Sequence, residues 1–239
     1  MDAISSSLKK FVQAVDPYVE LSQKIVTNIF PSLQIIAESS SNLGIIDRIG
    51  EAEYVAWRNF PDSLFEAAKN EKSSEGLLKL IMAMHSDDNF AEIEKTVEQL
   101  KQNEYLKDNP VFLQSINAYK RSDYDIAVLG CTVMIDKLLS AYTGMISTTN
   151  IKRRIEVIKE KVEKSEKIIL DDSEINDYIL IATFFNAFEK FGADSRFNEE
   201  EPQLNRHWIA HGRMERKLEQ IDCIRLINLM RGIILIVKI

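Results

Sequence analysis

The sequence contains few of the residues that interrupt helices or crosslink chains. Its 239 residues include only 8 glycines, 5 prolines and 2 cysteines. So few glycines and prolines argue against many short strands joined by tight turns, and favour long helices. The cysteines, Cys131 and Cys223, are too few for a disulfide framework, and each lies in an apolar segment with helical periodicity. We therefore expect buried thiols in a reducing, cytoplasmic environment.

Signals for secretion or membrane insertion are also missing from the sequence. The first residues show no basic flank followed by an apolar core, so we expect no signal peptide. The most apolar stretch, residues 221–239, is interrupted by Asp222, Arg225, Arg231 and Lys238. These charges favour a core helix over a membrane span, and we expect no membrane partner. This helix either completes a bundle or contributes to a dimer interface.

Apolar residues recur at helical spacing along most of the chain, which predicts an all-α protein built as a helical bundle. With 239 residues, of which 45% are hydrophobic, the chain can bury one large core or two modest ones. Pro110 marks the best internal boundary, because proline disfavours helix in the residue before it. We therefore predict an N-terminal helical region over residues 1–106 and a second helical domain over residues 107–239.

The pattern places helices over about residues 4–15, 19–36, 43–60, 63–70, 74–85, 90–100, 111–119, 124–142, 150–167, 174–191 and 221–239. His85 is predicted to end the fifth of these helices, where a cation interacts favourably with the helix dipole. Aromatic residues at helical spacing in the tenth helix favour a core role over base stacking; they are Phe184, Phe185, Phe188 and Phe191.

Chemically reactive residues are concentrated in one stretch that opens with Pro202 and contains two of the 3 histidines. Pro202 follows three glutamates, so we predict a helix that begins at Gln203 with carboxylates near its positive end. On this helix His207 and His211 share a face, while Arg206 and His211 lie about 140° apart around the axis. A long arginine side chain can still converge with His211 on one ligand.

An arginine and a histidine near a helix start suit a phosphodiester ligand. A guanidinium group holds anionic oxygens in a fork and keeps its charge, while an imidazole exchanges a proton near neutral pH. Together they support metal-free cleavage of RNA, whose own 2′-hydroxyl can serve as the nucleophile. On composition alone, a surface arginine beside a hydrogen-bonded structural histidine is the competing interpretation.

The string Asn-Arg-His-Trp-Ile-Ala-His-Gly, from Asn205 to Gly212, resembles the signature of the HEPN superfamily. That signature is an arginine and a histidine a few residues apart, with Asn, Asp or His directly after the arginine. Here four residues separate Arg206 from His211, and His207 follows the arginine. Residues 122–127 and 134–139 are similar to the first long helix of HEPN domains. The resemblance covers about residues 105–239.

This resemblance implies an endoribonuclease that acts without metal or cofactor and leaves 2′,3′-cyclic phosphate ends. Two protomers would pair as a homodimer whose motifs share one cleft. Arg206 would hold or polarise the scissile phosphate, His211 would act as general acid or base, and His207 would be an auxiliary polar residue. Asn205 would help to position the substrate. Toxin–antitoxin or antiphage defence is the implied context, so an antitoxin or regulatory protein is an expected partner besides RNA.

The charge distribution and two further residues extend this hypothesis. The net charge is −7, but residues 202–239 contain seven basic and three acidic residues, or +4, which leaves −11 for the remainder. A basic cluster near the motif suits phosphate binding, and Arg213 is predicted to contribute to it. Some HEPN toxins have a modifiable tyrosine at the position of Arg213, so control of that kind is not expected here. Asp136 is also predicted at the site, where it orients Arg206 or His207, unless it pairs with Lys137 or solvent.

Two alternatives remain open on the sequence. A catalytically silent HEPN-like module would bind RNA, nucleotide or a protein partner without turnover. A zinc site could use His207 and His211, whose spacing suits chelation, but no glutamate follows His207 and no third ligand is evident.

Overall fold

A computed structural model describes residues 40–56, 62–145, 151–164, 172–193 and 204–237. Within these ranges the chain forms ten helices and no strand, so the all-α prediction is confirmed. The helices predicted over residues 4–15 and 19–36 lie outside the described residues. The helices are α1 (Ser40–Glu51), α2 (Asp62–Ala68), α3 (Ser74–Asp87), α4 (Ala91–Lys101), α5 (Pro110–Lys120), α6 (Tyr124–Thr143), α7 (Ile151–Lys164), α8 (Asp172–Phe191), α9 (Arg206–Ala210) and α10 (Gln220–Ile236).

Helices α6 and α10 are at the centre of the described fold. They pack against each other, α6 also contacts α5, α7 and α9, and α10 also contacts α4 and α8. Helix α1 packs on α8 and α3, and every helix contributes buried residues to one apolar core. The α1–α8 and α4–α10 contacts cross the predicted boundary between residues 106 and 107. The two predicted regions therefore share a core.

The segment predicted as that boundary is the start of helix α5. The side chain of Asn109 accepts hydrogen bonds from the backbone N–H groups of Val111 and Phe112, at 3.0 and 3.1 Å. Pro110 occupies the first helical position, where its missing N–H costs no hydrogen bond. The sequence signal at Pro110 therefore marks a helix start.

Helix α6 agrees with the prediction for residues 124–142 to within one residue at its C-terminal end. Gly144 terminates it in the left-handed conformation, with φ at 71°. By length and composition alone α6 could cross a membrane, but 50% of its apolar window is buried within the fold. Its inward face carries Cys131, whose thiol pKa burial raises to about 12. As predicted, this cysteine and Cys223 are buried and free.

Helix α10 completes the bundle, the first of the two roles predicted for residues 221–239. Its residues from Asp222 to Met230 are all buried, and the apolar ones among them join the core. The phenylalanines of α8 are buried as well, so their predicted core role is confirmed; Phe184, Phe185, Phe188 and Phe191 are at most 5% exposed.

The prediction that His85 carries a favourable positive charge at a helix end is wrong. His85 lies in the last turn of α3, but its side chain is 0% exposed. Its Nε2 lies 2.8 Å from the hydroxyl oxygen of Tyr54. Burial lowers the pKa of His85 to about 4, with Asp88 opposing the shift. The imidazole is therefore neutral near pH 7.

Helix α1 ends at Glu51, several residues before the predicted end near residue 60. Glu53 then adopts the left-handed conformation, with φ at 56°, which turns the chain out of the helix. The following segment runs into the core, where Tyr54, Val55 and Ala56 are at most 2% exposed. The backbone N–H of Ala56 donates to Oγ1 of Thr183 on α8 at 3.1 Å. This path places Glu53 inside the protein.

Candidate active site

The motif forms the short helix α9, which begins at Arg206 and not at Gln203 as predicted. Asn205 is its N-cap: Oδ1 accepts from the backbone N–H groups of His207 at 2.9 Å and Trp208 at 3.4 Å. An asparagine that caps the helix fixes its first residue at the next position. Arg206 is therefore the first helical residue.

This capping role changes the interpretation of Asn205. Its side-chain nitrogen donates to the carbonyl oxygen of Ala193 at 3.0 Å, just after α8, and the residue is 1% exposed. Both polar atoms of the amide are thus engaged with backbone groups. That geometry argues against the predicted contact between Asn205 and substrate, and indicates that Asn205 joins the motif helix to the end of α8.

The C-terminal end of α9 is a Schellman motif, in which two backbone bonds close the last turn around a left-handed residue. The N–H of Gly212 donates to the carbonyl of Ile209 at 3.1 Å, and the N–H of Arg213 to that of Trp208 at 2.8 Å. Gly212 has φ at 63°, a conformation that costs glycine little. His211 is the C-cap residue, so its backbone is held at a sharply defined helix end.

Arg206 is bound to the central helix by a direct ion pair. Its Nε donates to Oδ2 of Asp136 at 3.0 Å, and the two side chains are 10% and 20% exposed. The structure therefore favours the predicted contact between Asp136 and Arg206 over pairing with Lys137 or solvent. Because α6 is a long, well-packed helix, it gives the guanidinium of Arg206 a rigid support.

A second arginine, Arg154 on α7, contacts the same carboxylate. Its Nη1 lies 3.7 Å from Oδ1 of Asp136, and its side chain is 0% exposed. Burial lowers the pKa of Arg154, Asp136 opposes the shift, and Arg206 adds to it. Asp136 thus lies between two guanidinium groups, and the local charge of the three groups is positive.

The imidazole rings of the two motif histidines are nearly parallel and lie one helical turn apart. The ring centroids of His207 and His211 are 6.1 Å apart, and the ring planes differ by 8°. The prediction that they share a face is therefore confirmed. His207 is partly buried and His211 exposed, whereas Arg206 is 8% exposed. Arg206 thus faces the protein, while the imidazole of His211 is accessible from solvent.

Glu53 connects the motif segment to the N-terminal part of the fold. Its carboxylate accepts a hydrogen bond from the backbone N–H of Leu204, directly before the N-cap, and lies 2.7 Å from Nη2 of Arg225. Burial raises the pKa of Glu53 to about 7, and the charge of Arg225 opposes this shift. The start of the motif is therefore fixed by a buried carboxylate from the end of α1.

Besides Arg206, three of the seven basic residues in the predicted cluster are paired with acids: Arg216, Arg225 and Arg231. Asp222 of α10 receives two hydrogen bonds from the guanidinium of Arg216, at 2.8 and 2.9 Å, and a third from Arg225 at 3.1 Å. Nη1 of Arg231 lies 3.0 Å from Oε1 of Glu92 on α4. The expected positive field around the motif is weaker than the count of basic residues implies, because these arginines have acidic partners.

Arg213 follows the Schellman turn with its side chain exposed. It lies on the same end of α9 as His211, and it stays a predicted substrate-binding residue. Among the described residues, no group of three or more His, Cys, Asp or Glu side chains is arranged to hold a metal ion.

Two residues at the site were not predicted. Arg154 lies in a segment rich in Lys and Glu, and such segments usually form solvated helix faces. Glu53 lies in a short acidic stretch with no motif around it. One signal in the sequence could have indicated that Arg154 is buried. Position 154 lies on the same face of the helix as the apolar residues Ile151, Ile155 and Ile158.

Comparison of the chain with protein-family models, curated proteins and solved structures gave no significant match.

Proposed function

We propose that this protein is a metal-independent endoribonuclease of the HEPN type, which cleaves RNA and leaves 2′,3′-cyclic phosphate ends. The observation that carries the proposal is the anchored arginine beside paired histidines. Arg206 is held at 3.0 Å by Asp136, and the rings of His207 and His211 are 6.1 Å apart one turn away. A fixed guanidinium and an accessible imidazole are the groups that phosphodiester cleavage needs.

In the proposed reaction, O2′ of the RNA attacks the adjacent phosphorus, so that an O2′–P bond forms and the P–O5′ bond breaks. The proton of the 2′-hydroxyl goes to a base, and O5′ receives a proton from an acid. His211 fills one of these two roles, since its imidazole is exposed. Arg206 stabilises the negative charge that develops on the phosphoryl oxygens, and Asp136 keeps the guanidinium aligned.

One chain provides one Arg206 and one His211, so a single motif can supply either the acid or the base. A two-fold homodimer supplies both, because isologous pairing duplicates every residue of the site. The resemblance to HEPN toxins supports the further proposal that the enzyme acts in the cytoplasm, in toxin–antitoxin or antiphage defence. An antitoxin or regulatory protein is then the partner that restrains cleavage.

The experiment that tests the proposal is cleavage of total cellular RNA in EDTA by the wild type, His211→Ala and His211→Gln proteins. Cyclic phosphate ends made by the wild type alone would support the proposal. The control is Lys79→Gln, on α3, whose side chain is 75% exposed and which should cleave like the wild type. Equal cleavage by the wild type and both His211 variants would refute it.

A catalytically silent RNA-binding module is the second candidate, and one observation favours it. Arg206 is 8% exposed and already paired with Asp136, so less of its charge is available to a phosphate than in an open site. Such a module binds RNA without turnover. Fluorescence anisotropy with labelled RNA distinguishes the two: binding by wild type and His211→Gln alike, with intact RNA recovered from both, favours the silent module.

A further inference from the structure

The large apolar side chains that are exposed in the described part of the chain lie on two adjoining helices. Helices α5 and α6 pack together, with Ser115 directly against Gly130. On α6 the exposed residues are Ile126, Leu129 and Val133, at 60%, 43% and 45% exposure; on α5 they are Val111 and Leu113, at 39% and 37%. Three of the five lie on α6, where they indicate a surface that another molecule covers.

Three of these residues form a single line along α6. Positions 126, 129 and 133 fall within an arc of about 60° on a helical wheel. We call Ile126, Leu129 and Val133 the α6 stripe. Its neighbours on the same helix are buried in the core, so the stripe is the outward edge of the central helix. A partner that covers it packs directly on the helix that supports Arg206.

A charged residue lies at each end of the stripe. Asp125 lies at the N-terminal end and Lys137 at the C-terminal end, both are exposed, and neither has an ion-pair partner among the described residues. They are twelve residues apart, or about 18 Å along the helix. One end of the surface is thus acidic and the other basic.

We propose that the α6 stripe is the contact surface for a second copy of this chain, with the two α6 helices antiparallel about a two-fold axis near residue 131. Residues equally distant from 131 then lie opposite each other. Leu129 packs on Val133 of the partner subunit, and Asp125 comes within reach of Lys137 of the partner subunit. A parallel arrangement would place like charges together at both ends, so the charges favour the antiparallel one.

The evidence for this pairing is the surface of α6, so the pairing does not depend on whether the protein cleaves RNA. Its relevance to the active site does rest on the proposed function. Asp136, which holds Arg206, lies opposite Ile126 of the partner subunit. The two Asp136 carboxylates are then ten residues apart along the seam, or roughly 15 Å. The two carboxylates thus lie on either side of the two-fold axis, and the proposed reaction requires the two His211 side chains to meet between them.

The first test measures the mass of the full-length protein by sedimentation equilibrium. We expect the wild type to have twice the monomer mass and Leu129→Glu to be monomeric, because the substitution places two carboxylates in an apolar seam. Far-UV circular dichroism must show the same helix content for both proteins, which is expected because position 129 is 43% exposed.

The second test reverses the charges at low ionic strength, where exposed ion pairs are screened least. Asp125→Lys and Lys137→Asp should each raise the dimer dissociation constant roughly tenfold, since each reversal places like charges together at two symmetric positions. The double variant should restore the wild-type value. A matched control reverses the exposed pair on α3, with Glu75→Lys and Lys79→Glu, and should leave the constant unchanged.

Three results would overturn the inference. A dimer that survives Leu129→Glu and both charge reversals uses another surface. If the wild type is monomeric and Leu129→Glu lowers its free energy of unfolding, another part of the same chain covers the stripe. Residues 1–39 are the candidate segment. A monomeric wild type that binds phosphatidylcholine vesicles, while Leu129→Glu does not, uses the stripe to contact lipid. RNA cleavage is measured separately, so a protein that is dimeric and inactive refutes the enzyme proposal alone.

Discussion

The guanidinium of Arg206 donates from Nε to Oδ2 of Asp136 at 3.0 Å, across 70 residues of sequence. This bond joins the first residue of the five-residue helix α9 to the 20-residue central helix α6. A short helix has few contacts of its own, so its orientation depends on such bonds. The position of the motif is therefore set by α6 as much as by the motif sequence.

Replacing Asp136 with asparagine should destabilise the protein. The substitution keeps the shape of the side chain but leaves Arg206 and the fully buried Arg154 with no negative charge between them. Removing one member of a buried ion pair costs about 3 kcal/mol, and two arginines lose a partner here. Urea unfolding monitored by circular dichroism should show a lower midpoint for Asp136→Asn.

The control for this prediction makes the same chemical change on the surface. Asp108→Asn alters a carboxylate that is 89% exposed and 4.0 Å from Lys107, and it should change the free energy of unfolding by less than about 0.5 kcal/mol. Equal midpoints for Asp136→Asn and Asp108→Asn would show that the Arg206–Asp136 bond contributes nothing to stability.

The function proposal makes a sharper prediction for Arg206→Lys. Lysine keeps the positive charge but lacks the planar fork, so it cannot hold Asp136 and a phosphate in the same geometry. We expect a loss of RNA cleavage of roughly 100-fold or more, with RNA binding reduced much less. Arg121→Lys is the matched control, because that arginine is 65% exposed on the turn between α5 and α6. Cleavage by Arg206→Lys at the wild-type rate would exclude a role for the guanidinium in the reaction.

Sequence periodicity was sufficient to predict the helical class and the limits of the central helix. The side chains of α6 repeat an apolar pattern that depends only on spacing, and its ends carry local signals at Asp123 and Gly144. The contact between Asp136 and Arg206 could also be proposed, because an acid within an apolar helix face needs a partner. These features depend on residues that are close in sequence or on a single unusual position.

The remainder of the site depends on contacts between distant segments. Pro202 suggested a helix start, but Asn205 competes for the same role and can also reach the carbonyl of Ala193, which the sequence does not reveal. Glu53 reaches Leu204 only because the chain turns out of α1 in a left-handed conformation. Pairing of the basic residues with acids depends in the same way on distant segments, as between Arg231 of α10 and Glu92 of α4.

Gly212→Ala should disturb the motif through the backbone. The φ of 63° at this position is strained for any residue with a Cβ atom, so the Schellman turn should lose about 1 kcal/mol. His211 precedes this residue, so the position of its imidazole should change and RNA cleavage should fall. The measurement is urea unfolding together with the cleavage assay.

Replacing a glycine inside a helix should have the opposite effect on stability. Gly44 lies in α1, and an added Cβ would meet no atom within 4 Å. Gly44→Ala should therefore stabilise the protein by about 0.5 to 1 kcal/mol, because alanine loses less backbone entropy in a helix. If both substitutions changed stability in the same direction, the conformational argument for Gly212 would be wrong.

Acid should weaken the fold through His85. Burial lowers the pKa of this histidine from 6.5 to about 4, so between these values the unfolded chain binds a proton that the folded chain does not. The free energy of unfolding therefore falls as the pH falls through this window, by up to about 1.4 kcal/mol per pH unit. Urea unfolding of the wild type and His85→Gln between about pH 7.5 and 4.5 measures this effect.

The difference between the two unfolding curves isolates His85 from other buried groups. Burial raises the pKa of Asp47 to about 6 and that of Glu53 to about 7, so these acids favour the folded state more as the pH falls. Both acids are present in each protein, and their contributions cancel in the difference. The wild type should thus lose stability relative to His85→Gln below about pH 6.5. A constant difference across the range would mean that the imidazole 2.8 Å from Tyr54 is protonated in the folded protein as readily as in the unfolded chain.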